Sequence, residues 1–99
     1  MIRQPDFLAH RRGDFVAVAV RDVEPGEATV GYLDETPSAQ IDVTQPVPLG
    51  HKVALSHVAA EADVIEYGLR IGTASKDITK GDYVHIHNLR SARWQRSLA

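Results

Sequence analysis

Along this chain apolar residues either alternate with polar ones or fall in short β-branched runs, and no stretch carries a sustained helical period. Six runs read as strands on that pattern: Phe15 to Val20, Ala28 to Leu33, Ile41 to Val43, Val53 to Leu55, Val64 to Tyr67 and Tyr83 to Leu89. Between them a short motif recurs, in which a β-branched residue is followed by two residues and then a turn residue. Val23-Glu24-Pro25-Gly26, Val47-Pro48-Leu49-Gly50 and Ile78-Thr79-Lys80-Gly81 carry it with glycine, and Val58-Ala59-Ala60-Glu61 is a degenerate copy without one. Each copy reads as strand, turn, strand, with the glycine supplying positive φ. Ser56 to Glu61, capped by Ser56, suffices for one helical turn and is too short for a stable helix. The pattern therefore predicts a mostly β domain of short strands and tight turns, with at most one or two short helical turns. Asp34-Glu35-Thr36-Pro37-Ser38 reads as a polar surface loop, and residues 89–99 read as a basic tail leaving a domain of residues 1–88.

Composition narrows the function classes. At 99 residues the chain fits one small domain. It contains no cysteine, which removes disulfides, thiolate metal sites and cysteine nucleophiles and suits a reducing cytosol. The start Met1-Ile2-Arg3-Gln4-Pro5-Asp6 lacks the basic-then-apolar layout of a secretion signal, and no apolar run approaches the ~20 residues that span a bilayer. A cytoplasmic protein without membrane contact is expected. The formal net charge of −2 argues against phosphate-backbone binding, so no nucleic-acid partner is expected.

The chemistry concentrates in Tyr83-Val84-His85-Ile86-His87-Asn88. Alternation along a strand would place His85 and His87 on one face, about 7 Å apart at Cα, with Val84 and Ile86 on the other. Two imidazoles so placed suit a shared metal ion or an anionic ligand. A solvated strand face is the plain alternative. His51 and Lys52 follow Gly50 in a turn, where a lysine offers a point charge for a carboxylate, against the alternative of a solvated loop. Asn88, grouped with them on the substrate side, falls on the apolar side of the alternation, where it either backs the binding residues or forms a turn. His10 and His57 have no pattern around them and read as surface residues. Tyr67-Gly68 and Ile71-Gly72 read as turn and packing positions. No general base with an orienting partner stands out, so no catalytic residue is assigned. In the tail, Arg90, Arg93 and Trp94 are residue types enriched at interface hot spots, which makes this segment a candidate docking arm.

The phrases from Val16 to Glu27, Pro48 to Leu55, Val64 to Gly68, Ile71-Gly72 and His85-Ile86-His87-Asn88, in this order, resemble the SAF domain of the altronate/galactarate dehydratase family over about Phe15 to Asn88. The resemblance implies a β-clip fold. In long members this module precedes a much larger catalytic region, whereas here the sequence ends at Ala99. It is similar to the two-subunit branch, which includes small subunits of altronate-type dehydratases and the alpha subunit of (2R)-sulfolactate sulfo-lyase. The implied function is a small subunit of a metal-dependent lyase, acting with a separate large dehydratase-type subunit on a small anionic hydroxy acid such as altronate or galactarate, or releasing sulfite from sulfolactate. The implied cofactor is a divalent ion, Fe2+ or Mn2+ or Mg2+, held by His85 and His87 with further ligands from His51, the partner or substrate. A β-clip module that binds carbohydrate or protein without catalysis is the rival class. An exposed partner surface would also admit a homo-oligomer.

Overall fold

The computed structural model describes residues 4–85 and 87–91. Nine short strands run in chain order as β1 Phe7–Ala9, β2 Val16–Ala19, β3 Gly26–Tyr32, β4 Ala39–Val43, β5 Lys52–Ala54, β6 Asp63–Glu66, β7 Leu69–Ala74, β8 Tyr83–Val84 and β9 Leu89–Ser91. They form a six-stranded sheet ordered β4-β3-β1-β2-β5-β8 and a three-stranded sheet ordered β6-β7-β9. Every pairing is antiparallel except that of β1 with β3.

Strands β2 and β5 are apolar on both faces because each serves two cores. Ala17 and Val53, paired in register, point into one cluster with Phe7, Val30 and Val47; Val16 and Ala54, the next pair, point into the other with Val64, Ile78 and Val84. A strand covered on both sides loses the apolar-polar alternation, which is why Val16 to Val20 reads as a continuous run.

The recurring motif is a real structural unit. Its four β-branched residues are all buried and bridge in pairs, Val23 with Val47 and Val58 with Ile78. Burying a side chain the size of Ile78 stabilises the fold by about 2 kcal/mol. Three copies then clip onto an alanine. The Gly50 N–H donates to the Ala19 carbonyl (2.9 Å) while the Ala19 N–H donates to the His51 carbonyl (2.8 Å). Gly81 and Asp82 hold Ala54 in the same way, and Glu61 and Ala62 hold Ala74. The degenerate copy keeps the backbone shape without the glycine, since Glu61 has φ 72°. At Gly81, φ 95°, a Cβ would also collide with the Asp42 carbonyl oxygen.

Sequence and structure differ at four places. Ser56 to Glu61 forms no helical turn, and no helix occurs among the described residues; Val58 is instead bridged to Ile78, so its N–H and carbonyl are already taken. The strand read from Tyr83 to Leu89 stops at Val84, turns through His87 and Asn88, and resumes as β9. Residues 89–91 are thus part of the sheet beside β7, where a boundary after Asn88 had been expected. Strands β1 and β7 had not been anticipated. Gly72 in β7 had been read as a bend, yet it lies in the ladder because a Cβ there would collide with the Arg90 carbonyl oxygen of β9.

Candidate functional site

The site grows out of the β5–β8 ladder. Lys52 pairs with Val84 and Val53 with Tyr83, so one further step of the same register sets His51 opposite His85. With a period of two, His51, Val53, Tyr83 and His85 share a face, the one that leads into the first core. Val53 is fully buried there, and Tyr83 packs against that core from its rim. The rings accordingly meet: His51 and His85 have centroids 5.1 Å apart, and Tyr83 stacks on His85 at 5.5 Å with 6° between planes. The Tyr83 hydroxyl lies 2.6 Å from His51 Nδ1.

Asn88 makes the turn that ends the strand. Its Oδ1 accepts from the His85 N–H (2.9 Å), and its Nδ2 donates to the Tyr83 carbonyl (2.8 Å). The N–H groups of Asn88 and Leu89 both donate to the His85 carbonyl. Asn88 is 3% exposed with both side-chain polar atoms engaged by backbone, so of its two anticipated roles the structure shows turn formation. His87 is carried round by this turn and reaches the Tyr83 ring at 5.7 Å. His85 and His87 therefore converge on Tyr83 through a turn, not through strand alternation. Among the described residues, the ring nitrogens of His85 and His87 have no hydrogen-bond partner.

Three imidazoles around one phenol form a cluster that can donate hydrogen bonds to an anion. Among the described residues no three His, Cys, Asp or Glu side chains are grouped to hold an ion. His51 Nδ1 is already bonded to Tyr83, and the His85 ring lies nearly parallel to that of Tyr83.

The other anticipated residues lie elsewhere. Lys52 alternates to the opposite face of β5 and approaches Glu66 of β6 at 3.9 Å, so the structure does not bring it to His51. Arg90 sits in β9 and its guanidinium binds both carboxylate oxygens of exposed Glu61, at 2.8 and 2.7 Å. Ile86, Arg93 and Trp94 fall outside the described residues. Tyr83 had been read only as the start of a strand. The signal that singles it out is its spacing of two from His85, and that acquires meaning only once β5 is paired with β8.

A second histidine–tyrosine cluster occupies the β1–β2 loop. Asp14, 4% exposed, accepts the N–H groups of His10 (3.0 Å) and Arg11 (3.4 Å) on Oδ2 and that of Tyr67 (2.8 Å) on Oδ1. Tyr67 (φ 54°) and Gly68 (φ 74°) form the two-residue turn between β6 and β7, both positive as a type I′ turn needs. The His10 ring lies 4.8 Å from that of Tyr67, and the Arg11 guanidinium covers the same ring at 4.8 Å. Nearby, the Tyr32 phenol is pushed above its usual range, chiefly by burial and then by the Asp14 and Asp34 carboxylates. Exposed Asp34 is held below the usual carboxylate range, first by its hydrogen bonding with the Thr36 side chain, then by the backbone N–H groups of Arg12 and Thr36.

Comparison with known proteins places this geometry in context. Residues 5–92 match the altronate/galactarate dehydratase SAF domain. The chain is 36% identical over 91 residues to the (2R)-sulfolactate sulfo-lyase subunit alpha of Chromohalobacter salexigens, covering 90% of this chain and 97% of that protein. It is 44% identical over 78 residues to the altronate dehydratase of Escherichia coli and 33% identical over 85 residues to that of Bacillus subtilis. Those matches take in 79% and 86% of this chain but span only 15% and 16% of the two dehydratases.

Proposed function

Because the chain belongs to the altronate/galactarate dehydratase SAF-domain family, we propose that it is the small subunit of a two-component lyase acting on a 2-hydroxy acid. The observation that carries this reading is the near end-to-end match with a protein named as a subunit alpha, set beside matches to only a small fraction of the altronate dehydratases. The remainder of those dehydratases corresponds to a separate large subunit here. The His51, Tyr83, His85 and His87 cluster fits such a division of labour, since it offers several imidazole hydrogen-bond donors for an anion and no carboxylate among them to serve as a base.

In this scheme the imidazoles receive the substrate's carboxylate and steady the negative charge that builds on it as the C2 proton leaves. The base that takes that proton belongs to the large subunit. The C2 electron pair forms the new double bond while the C3 substituent departs with its own pair, and the resulting enol tautomerises to a 2-keto acid. Full-length similarity to the sulfo-lyase subunit favours sulfolactate, with sulfite leaving from C3; loss of a C3 hydroxyl from a sugar acid is the second reading, supported by the dehydratase matches. A divalent ion in the assembled enzyme would draw most of its ligands from the large subunit.

The test is reconstitution. The purified chain alone should turn over neither (2R)-sulfolactate nor altronate, and addition of the large subunit should release sulfite from the first or 2-keto-3-deoxy acid from the second. Turnover by the chain alone would overturn the subunit assignment, and a reconstituted complex inactive on both acids would overturn the lyase reading.

A further inference from the structure

We propose that Tyr83 holds the His51 proton on Nε2, so that His51 meets its ligand as a hydrogen-bond donor to an anionic oxygen and not as a base. This inference deepens the acid-binding role proposed above and rests on it for the identity of the ligand, though not for the position of the proton.

A neutral imidazole has one protonated and one bare nitrogen, and the hydrogen bond at one nitrogen decides which is which. Here the bond joins His51 Nδ1 to the Tyr83 hydroxyl at 2.6 Å. A phenol donating to a bare imidazole nitrogen pairs the strong donor with the strong acceptor. The reverse arrangement would use the weaker phenol oxygen as acceptor and leave the phenol proton to find another partner.

Both ends of this bond are anchored. The His51 backbone is fixed twice, its N–H donating to the Pro48 carbonyl (3.0 Å) and its carbonyl accepting from Ala19 (2.8 Å). The Tyr83 ring is wedged between the first core and the stacked His85 ring, which stops the hydroxyl from swinging away. The remaining nitrogen, Nε2, carries the proton and has no partner among the described residues. Carboxylate and sulfonate oxygens are acceptors only, so a Nε2–H donor selects that chemistry. Tyr83 is thus a positioning residue that acts through His51.

The experiment is a long-range proton–nitrogen NMR spectrum of the 15N-labelled full chain near neutral pH, recorded on the wild type and on Tyr83→Phe. The wild type should show an unprotonated, pyridine-type Nδ1 and a protonated, pyrrole-type Nε2 for His51. In Tyr83→Phe, with dispersed amide signals confirming the fold, the two nitrogens should move toward each other as both tautomers are sampled. A wild-type spectrum with the proton on Nδ1 overturns the proposal whether or not the variant folds, and so does a folded variant whose pattern is unchanged. In the reconstituted lyase, His51→Ala should raise KM about tenfold, the loss of one charge-assisted hydrogen bond, while His51→Gln, which retains an N–H donor, stays within about threefold of wild type. A glutamine variant as impaired as alanine removes the donor role. Should reconstitution give no lyase at all, the functional reading falls while the tautomer measurement still decides the position of the proton.

Discussion

The two histidine–tyrosine clusters are built alike but gather different numbers of imidazoles around their phenol. Each is organised by one buried side chain that binds backbone, Asp14 in one and Asn88 in the other. Asp14 reaches across to Tyr67, joining two hairpins distant in sequence, and the ring of that tyrosine is covered by Arg11. Asn88 works locally between Tyr83 and Leu89 and leaves the His85 and His87 ring nitrogens unclaimed among the described residues. The lesson is that residue type does not mark a site. What sets the Tyr83 cluster apart is convergence, three imidazoles meeting one phenol there against a single imidazole beside Tyr67.

That contrast can be broken by substitution. The largest effect is expected from Asp14→Ala, which removes the shared acceptor of three part-buried backbone N–H groups and should lower unfolding free energy by about 3 kcal/mol in urea titrations. Lyase turnover per folded molecule should stay near wild type; a collapse of turnover in the folded fraction would give the Asp14 cluster a functional part. Asn88→Ala removes two hydrogen bonds, and a stability loss of about 2 kcal/mol is expected together with reduced turnover, because the turn that aims His85 and His87 is gone. Stability loss with undiminished turnover would mean that the turn's shape is irrelevant to the site.

His85→Ala and His87→Ala sharpen the comparison from the other side. Both rings are on exposed residues, so stability should change by less than about 0.5 kcal/mol while kcat/KM of the reconstituted enzyme falls about tenfold, or about 1.4 kcal/mol. Full activity in both variants would reduce the cluster to a solvated surface. The smallest effect concerns alkaline pH. Because the folded-state pKa of Tyr32 is raised, the unfolded chain begins to lose this proton first, near pH 10, and stability declines from there up through the folded-state pKa. Tyr32→Phe should flatten that decline and leave the pH dependence below pH 9 unchanged in thermal melts; a wild-type slope retained in the variant would assign it to another group.

Much of this architecture is legible in the sequence because its cause is local. The motif copies announce their turns through Gly26, Gly50 and Gly81, and the buried β-branched residue heading each copy sets the strand ends. Strand β1 escapes notice because Phe7–Ala9 is three residues long and, unlike the short runs that read as strands, contains no β-branched residue. Strand β7 escapes because Gly72 mimics a bend and is instead required by the closeness of Arg90. At the site, the sequence offers His51, His85 and His87 but not their meeting, which depends on the non-local register of β5 with β8. Lys52 adjoins His51 in sequence yet lies on the other face, since neighbours along a strand point to opposite faces.

The alanine clips divide the site by how readily its parts can open. The Ala19 and Ala54 amides are fastened by motif turns to strands that wall both cores, so neither core can come apart without unzipping the other. Their protons should exchange with solvent only through whole-molecule unfolding, and His51, whose carbonyl closes the Ala19 clip, belongs to that slow frame. His85 and His87 hang on a turn held by Asn88 and the Leu89 N–H and can exchange through local opening. One half of the cluster is therefore rigid from the moment the chain folds, and the other can still adjust when a partner arrives.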